Sequence, residues 1–211
     1  MSTVAGHALA AVAAYEALRR PCRLAAGWPA RLGVAALAVV PDLDVFTSMI
    51  WPRLSAHRGF SHSLAFAAIL ALAAAPLLVK GRGALVWLVG WLGLVLVCLA
   101  HPLLDYLMAC GPAVPIGWPL WPGAHLSPIQ LVPTAYYSRS LSGLAGLLRH
   151  GPTLRAVGLE VVMFLPLALL AGGATRGRGW GWKLVLLLVS AAGWGATLVL
   201  YGGWDRLRLW F

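Results

Sequence analysis

Acidic residues are scarce in this chain: six Asp and Glu stand against sixteen Lys and Arg in 211 residues, and charge of either sign makes up only 10% of the total. A soluble domain is about one quarter charged, so the whole chain is not one. The three cysteines, Cys22, Cys98 and Cys110, are odd in number and lack CxxC spacing. That excludes a cysteine-based zinc motif and gives no disulfide framework. No internal repeat, low-complexity tail or shift in composition marks a separate soluble module, so residues 1–211 read as a single integral domain. The beginning of the chain has no basic stretch ahead of its first apolar run and carries His7 and Glu16 inside it, so it is read as a first helix rather than a cleavable signal. A net charge of +10 raises the question of nucleic acid. The arginines punctuate segment ends rather than form one basic face, so nucleic acid is excluded as a partner and lipid headgroups and topology account for the charge.

What fills the space is hydrocarbon. Apolar residues make up 61% of the chain, and mean hydropathy is +0.83. Runs near the roughly 20 residues that cross a bilayer recur at Leu64 to Val79, Ala84 to Cys98 continuing to Cys110, Val157 to Ala171 and Trp182 to Tyr201. Two earlier segments, Val4 to Leu18 and one from Leu24 or Arg31 to Val40, precede them. The expected fold is all-α: a polytopic transmembrane bundle of about five to six helices. Tryptophans near segment ends (Trp28, Trp51, Trp118, Trp121, Trp180, Trp182, Trp204) suit an interfacial belt. The stretch from Gly111 to Pro133, rich in Pro, Gly and Trp, reads as an ordered surface loop of a length that favours function. Ser140 to His150 reads as a short amphipathic helix.

Alternating the segments across the membrane has one consequence. If His7 begins on one side, Arg19 to Arg31 and Lys80 with Arg82 fall on the other, while Asp42, Asp44, His57, His62, His101 and Asp105 return to the side of His7. The segment boundaries came from hydropathy and helix breakers alone, so this convergence is independent support for a shared site. The short basic turns place their own side in the cytoplasm and the site toward the extracytoplasmic face.

Three motifs carry the polar residues. Pro41-Asp42-Leu43-Asp44 puts two carboxylates at a helix end, where the dipole disfavours them unless a cation compensates; an Asp-rich turn is the plainer reading. In His57-Arg58-Gly59-Phe60-Ser61-His62 the two rings converge from a loop and a helix start, with Ser61 as the expected N-cap and Arg58 placed to neutralise charge on a phosphoryl or carboxyl oxygen. Side chains reaching toward headgroups are the alternative. His101-Pro102-Leu103-Leu104-Asp105 sets an imidazole and a carboxylate at i and i+4 on one helical face, as co-ligands, as ligand and support, or as a packing hydrogen bond. His7 joins through topology. Glu160, His125 and His150 are left outside. Together these residues offer up to seven N/O ligands without cysteine, enough for two ions of the kind that clamp a phosphoester.

With the Pro/Trp element Val114 to Pro122, these motifs resemble those of the bacterial inner-membrane metal-dependent hydrolases that include the LexA-regulated membrane hydrolase. The likeness covers His7 to Pro133 and implies a metal-site core over residues 1–133, with residues 134–211 adding the amphipathic helix and two further spans. It also implies kinship with the zinc phospholipases C and related nucleases. By resemblance His7, Asp42, Asp44, His57, His62, His101 and Asp105 would be metal ligands or their immediate support. The expected cofactor is a pair of divalent ions, zinc or alternatively manganese. The expected activity is phosphoester hydrolysis in a membrane lipid or lipid-linked substrate. Arg58 would steady the substrate's negative charge, and Asp42 or Asp44 would act as general base. Ser61 stands where that family often has Thr, and Met108 where Thr often follows, so substrate contacts are less well matched than metal ligands. A non-catalytic metal- or anion-binding protein or transporter is the competing expectation.

Overall fold

A computed structural model describes residues 2–46, 58–135, 141–147, 149–173 and 179–201. Its regular elements are helices: α1 (Val4–Leu18), α2 (Trp28–Leu37), α3 (Leu64–Leu78), α4 (Ala84–Leu107), α5 (Leu141–Leu147), α6 (Gly151–Ala171) and α7 (Trp180–Tyr201), with 3-10 turns at Val40–Leu43 and Phe60–His62. The bundle expected from hydropathy is what forms. Among the described residues α4, α6 and α7 are long and apolar enough to cross a membrane, while α1 and α3 are shorter apolar helices of 15 residues. At 1.5 Å per residue those two rise roughly 22 Å, short of about 30 Å of hydrocarbon.

The exterior agrees with a bilayer as solvent. Leu77 on α3, Leu85 on α4 and Val199 on α7 are 75%, 72% and 81% exposed, and the outward faces of these helices carry further leucines and valines. Such a continuous apolar surface on a water-soluble monomer would drive association. In lipid the helices have no hydrophobic force pulling them together, so small residues that permit close approach decide the packing. α1 lies at the centre, against α2, α4 and α6, while α3 packs on α4 and α6 on α7. Ala67, Ala71, Ala74 and Ala75 form the inner face of α3. On α4, a Cβ at Gly93 would come within 2.6 Å of Cys22 Sγ.

The alternation of sides is visible in the chain reversals. After α1 and after α3 the backbone turns at the same end, where Ala25 N–H donates to Leu78 C=O at 2.6 Å and Lys80 N–H to Arg23 C=O at 2.8 Å. The opposite end gathers the polar motifs.

The Pro/Trp loop is built structure, as its composition led us to expect. A helix that starts in an apolar setting needs partners for its first N–H groups. Ile116 and Trp118 supply carbonyls to Leu64 and Ala65 N–H at 3.0 and 3.2 Å, and the Ser63 hydroxyl accepts from Phe66 N–H. The loop also donates Ser127 and Leu131 N–H to the carbonyls of Tyr106 and Leu107 at the end of α4. Its Leu120 is 82% exposed, consistent with an interfacial position.

This geometry corrects two boundaries. The N-cap of α3 is Ser63, not Ser61, and His62 sits in the 3-10 turn before the helix. α4 ends at Leu107 rather than near Cys110, because Ala109 and Gly111 take positive φ values of 55° and 81° that a helix does not accept. We expect Ser63→Ala to destabilise the protein by about 1 kcal/mol, the usual cost of losing a serine cap. Thermal unfolding in detergent checks this, and Ser61→Ala should leave the α3 terminus intact.

Candidate metal centre

His7, Asp42, His62, His101 and Asp105 meet in one buried cluster, drawn from α1, the two 3-10 turns and α4. The residues lie up to 98 positions apart in sequence, from His7 to Asp105, and each is contributed for a local reason. Pro41 stops α2 and begins the turn that holds Asp42. Gly59 and the Phe60–His62 turn bend the chain so that His62 points back at that turn. In α4, His101 and Asp105 lie one helical turn apart on the inward face.

Hydrogen bonds settle which nitrogens face the centre. His101 Nδ1 lies 2.6 Å from the Ala38 carbonyl, which can only accept, so Nδ1 carries the proton and Nε2 of the neutral ring carries a lone pair. The Ser61 hydroxyl donates to Asp44 Oδ2 at 2.7 Å and therefore accepts from His62 Nδ1 at 2.9 Å. That leaves the His62 Nε2 lone pair aimed inward as well. The two Nε2 atoms are 3.1 Å apart. Two lone pairs facing each other at that separation repel unless a proton or a cation lies between them.

The carboxylates complete the ring of donors. His62 Nε2 stands 3.2 Å from Asp105 Oδ2 and 3.8 Å from Asp42 Oδ1. His101 Nε2 stands 3.5 Å from Asp42 Oδ1 and 3.8 Å from Asp105 Oδ2. Four donors at about 2.0–2.1 Å around one tetrahedral ion lie roughly 3.3 Å from each other, so these separations of 3.1 to 3.8 Å fit an ion-sized hole. On the far side His7 Nε2 faces the other oxygens, Asp105 Oδ1 at 3.7 Å and Asp42 Oδ2 at 3.9 Å, and its ring stacks on His101 with centroids 3.7 Å apart. Both nitrogens of His7, both oxygens of Asp42 and Asp105 Oδ2 make no hydrogen bond among the described residues although all are buried. Buried polar atoms are seldom left so. His7, Asp42, His101 and Asp105 each offer a ligand atom within 4.8 Å of the others, so the residues present fit a divalent cation.

The charges around the cluster act on Asp42 and His62 in opposite directions. Burial opposes ionisation of Asp42, but His101, His62 and His7 outweigh it and hold the carboxyl well below its ordinary range. At His62 burial disfavours the charged ring, yet the Asp105 and Asp42 carboxylates dominate and push it up to about 9.

The remaining expected residues fall into distinct places. Asp44 stands beside the cluster rather than within it: Oδ2 accepts from Ser61 and from Arg58 N–H at 3.2 Å, and lies 3.5 Å from His62 Nδ1. It orients His62 through Ser61. Arg58 departs from the expectation of a residue reaching toward substrate. Only 3% exposed, it donates from Nη1 to the carbonyls of Cys110 and Pro112 at 2.8 Å, from Nη2 to Asp105 Oδ1 at 3.2 Å, and sets Nε 3.2 Å from Asp105 Oδ2. The physical reason is that α4 ends at Leu107, which turns unpaired carbonyls toward the guanidinium. His57 lies outside the described residues. His125 pairs its backbone with Val114 and His150 is the N-cap of α6, bonded to Thr153, so both stay outside the site as the sequence suggested.

Glu160, which the sequence reading left outside the site, lies buried close to it. It is fully buried on α6 and accepts hydrogen bonds from Ser2 and Thr3 at the N-terminus of α1. A carboxylate inside an apolar span was the available signal, but its partners lie 158 and 157 positions away.

All-helical among the described residues, with three membrane-length apolar helices there and an apolar exterior, the chain is a polytopic integral membrane protein. It belongs to the YdjM inner membrane protein family, whose family model matches residues 1–192. It is also similar to inner membrane protein YbcI of Escherichia coli (strain K12), with 34% identity over 114 residues, 49% of this chain and 61% of that protein. The match thus covers less than two thirds of that relative's length. No solved structure matches the chain. The family and the long apolar helices support an inner-membrane location.

Proposed function

We propose that the chain is a membrane-embedded, metal-dependent hydrolase that cleaves a phosphoester bond in a lipid or lipid-linked substrate. The observation that carries this reading is the pair of inward-facing Nε2 atoms of His62 and His101, 3.1 Å apart and flanked by two buried carboxylates. His62, His101, Asp42 and Asp105 would hold one divalent ion, with zinc suited to this N/O set and manganese an alternative. His7, together with Asp42 and Asp105, would be the described residues available to a second ion. A divalent ion held there would supply Lewis acidity for phosphoester hydrolysis.

The chain's own residues do the rest. Asp44, at the edge of the cluster with its side chain 15% exposed, is placed to accept a proton from water, Asp42 being held by its histidine neighbours. Ser61 keeps the His62 ring in the required tautomer. Arg58 ties Asp105 to the loop after α4. A lipid substrate follows from location, since the donors emerge where apolar helices end. The basic turns Arg19 to Arg31 and Lys80 to Arg82 lie at the opposite end, which favours an extracytoplasmic site.

Transport of an ion through the bundle is less well supported. Beyond the cluster, Ala11, Val34, Ala71, Ala75, Leu94 and Val95 pack as an apolar core. The test is metal analysis of the detergent-purified protein, followed by phosphate release from phospholipids and polyprenyl phosphates by wild type and His101→Ala. We expect bound metal and turnover in the wild type and a loss of at least about 100-fold in the variant. Metal-free wild type, or undiminished turnover by the variant, defeats the proposal.

A further inference from the structure

The metal centre draws no ligand from α6 or α7, yet α6 places a buried carboxylate beside it. Glu160 receives the hydroxyls of Ser2 and Thr3, and the Thr3 N–H lies 3.1 Å from each of its oxygens. Three donors from two successive residues converge on one side chain. Those residues are the start of α1: the Thr3 hydroxyl caps the helix by accepting from Gly6 N–H at 3.1 Å, and the Thr3 carbonyl accepts from His7 N–H at 3.0 Å. Ser2 N–H in turn donates to Asp105 Oδ1 at 3.4 Å, the same oxygen that faces His7 Nε2. Gly6 is what lets the carboxyl come so close, since a Cβ there would stand 2.4 to 2.6 Å from its atoms.

We infer that Glu160 is a positioning residue for the metal centre. Without ligating, it fastens residues 2–7 to α6 so that the His7 ring and the Ser2 N–H bear on Asp105. The inference rests on the metal reading above and gives the C-terminal helical hairpin a task in it. A carboxylate suits the task better than an amide. Gln offers one accepting oxygen, and its NH2 group would face Thr3 N–H, a donor that cannot turn away.

The experiment is a cobalt(II) titration of the full-length protein in detergent, read by d–d absorption, on wild type, Glu160→Gln, Gly6→Ala, His7→Ala and the Glu160→Gln/His7→Ala pair. Thermal midpoints are measured alongside. Glu160→Gln should weaken cobalt binding about 10- to 100-fold, the range for groups that orient ligands. Gly6→Ala should weaken it too, although alanine is the better helix former. The pair should lose less than the product of its two single losses, because both act through the same turn of helix. Binding within twofold of wild type in Glu160→Gln and Gly6→Ala overturns the inference and leaves the metal reading standing. So does a fully multiplicative pair, or a lowered thermal midpoint with unchanged affinity. A wild type that takes up no cobalt removes the metal reading and this inference together.

Discussion

Asp105→Ala should be among the most destabilising single substitutions in the described structure. Asp105 is fully buried, and the Arg58 guanidinium that it faces is itself nearly inaccessible. Removing one partner of a buried ion pair leaves the other charged with neither water nor counter-ion, which costs about 3–5 kcal/mol. A further donor, Ser2 N–H, loses its acceptor. Asp105→Asn separates charge from shape: it keeps an acceptor for Ser2 and Arg58 but lowers the negative charge, and should fall between wild type and Asp105→Ala. Removing both charges, as in Arg58→Met with Asp105→Ala, should restore part of the loss, since replacing a buried pair by apolar groups is often neutral. Thermal unfolding in detergent ranks the four proteins. If Asp105→Ala unfolds within about 1 kcal/mol of wild type, below the range for a broken buried pair, the pair is not what holds this end of the bundle.

The residues of that pair mark how far the sequence can be read. His7, Asp42, His62, His101 and Asp105 could be brought together from sequence because each lies near the end of an apolar segment, and the segments must alternate across a membrane. Only the parity of crossings was needed, not the packing. The distances, the tautomers and the division between Asp42 inside the cluster and Asp44 beside it could not be read, because they depend on which hydroxyl and carbonyl each ring meets. The same gap explains Ser61 and Ser63. Both are serines flanking His62, and either could cap a helix. The choice falls to Ser63 because Ile116 and Trp118, more than fifty residues later, supply carbonyls to the next N–H groups. Arg58 looked free because its acceptors, the carbonyls of Cys110 and Pro112, exist only once α4 stops at Leu107. Glu160 has the most distant partners of all, Ser2 and Thr3. Periodicity and motif spacing carry no information about a contact across that much chain.

The ordering of metal affinities is the second large effect, and it tests the proposed centre without any substrate. For a four-donor zinc site worth about 10–16 kcal/mol, one ligand carries roughly a quarter, or about 2.5–4 kcal/mol, which is about 100- to 1,000-fold in affinity. His101→Ala should lose that much, because its Nε2 has no substitute and its Nδ1 is already held by Ala38. Ser61→Ala removes no ligand. It removes the hydroxyl that fixes the His62 tautomer and links it to Asp44, so its cost should stay near 10- to 100-fold. Both variants keep the Ser63 cap and the Arg58 to Asp105 pair, so their folds should survive and the comparison should report on the site. Competition with a chromogenic chelator measures all three constants at one pH. The pH must be fixed because binding displaces the proton that His62 otherwise carries, and affinity therefore falls as the solution is acidified. A Ser61→Ala loss equal to that of His101→Ala would mean that the hydroxyl contributes as much as a ligand and does more than orient the His62 ring. Unchanged affinity in His101→Ala would mean that the ion, if one binds, is held elsewhere in the chain.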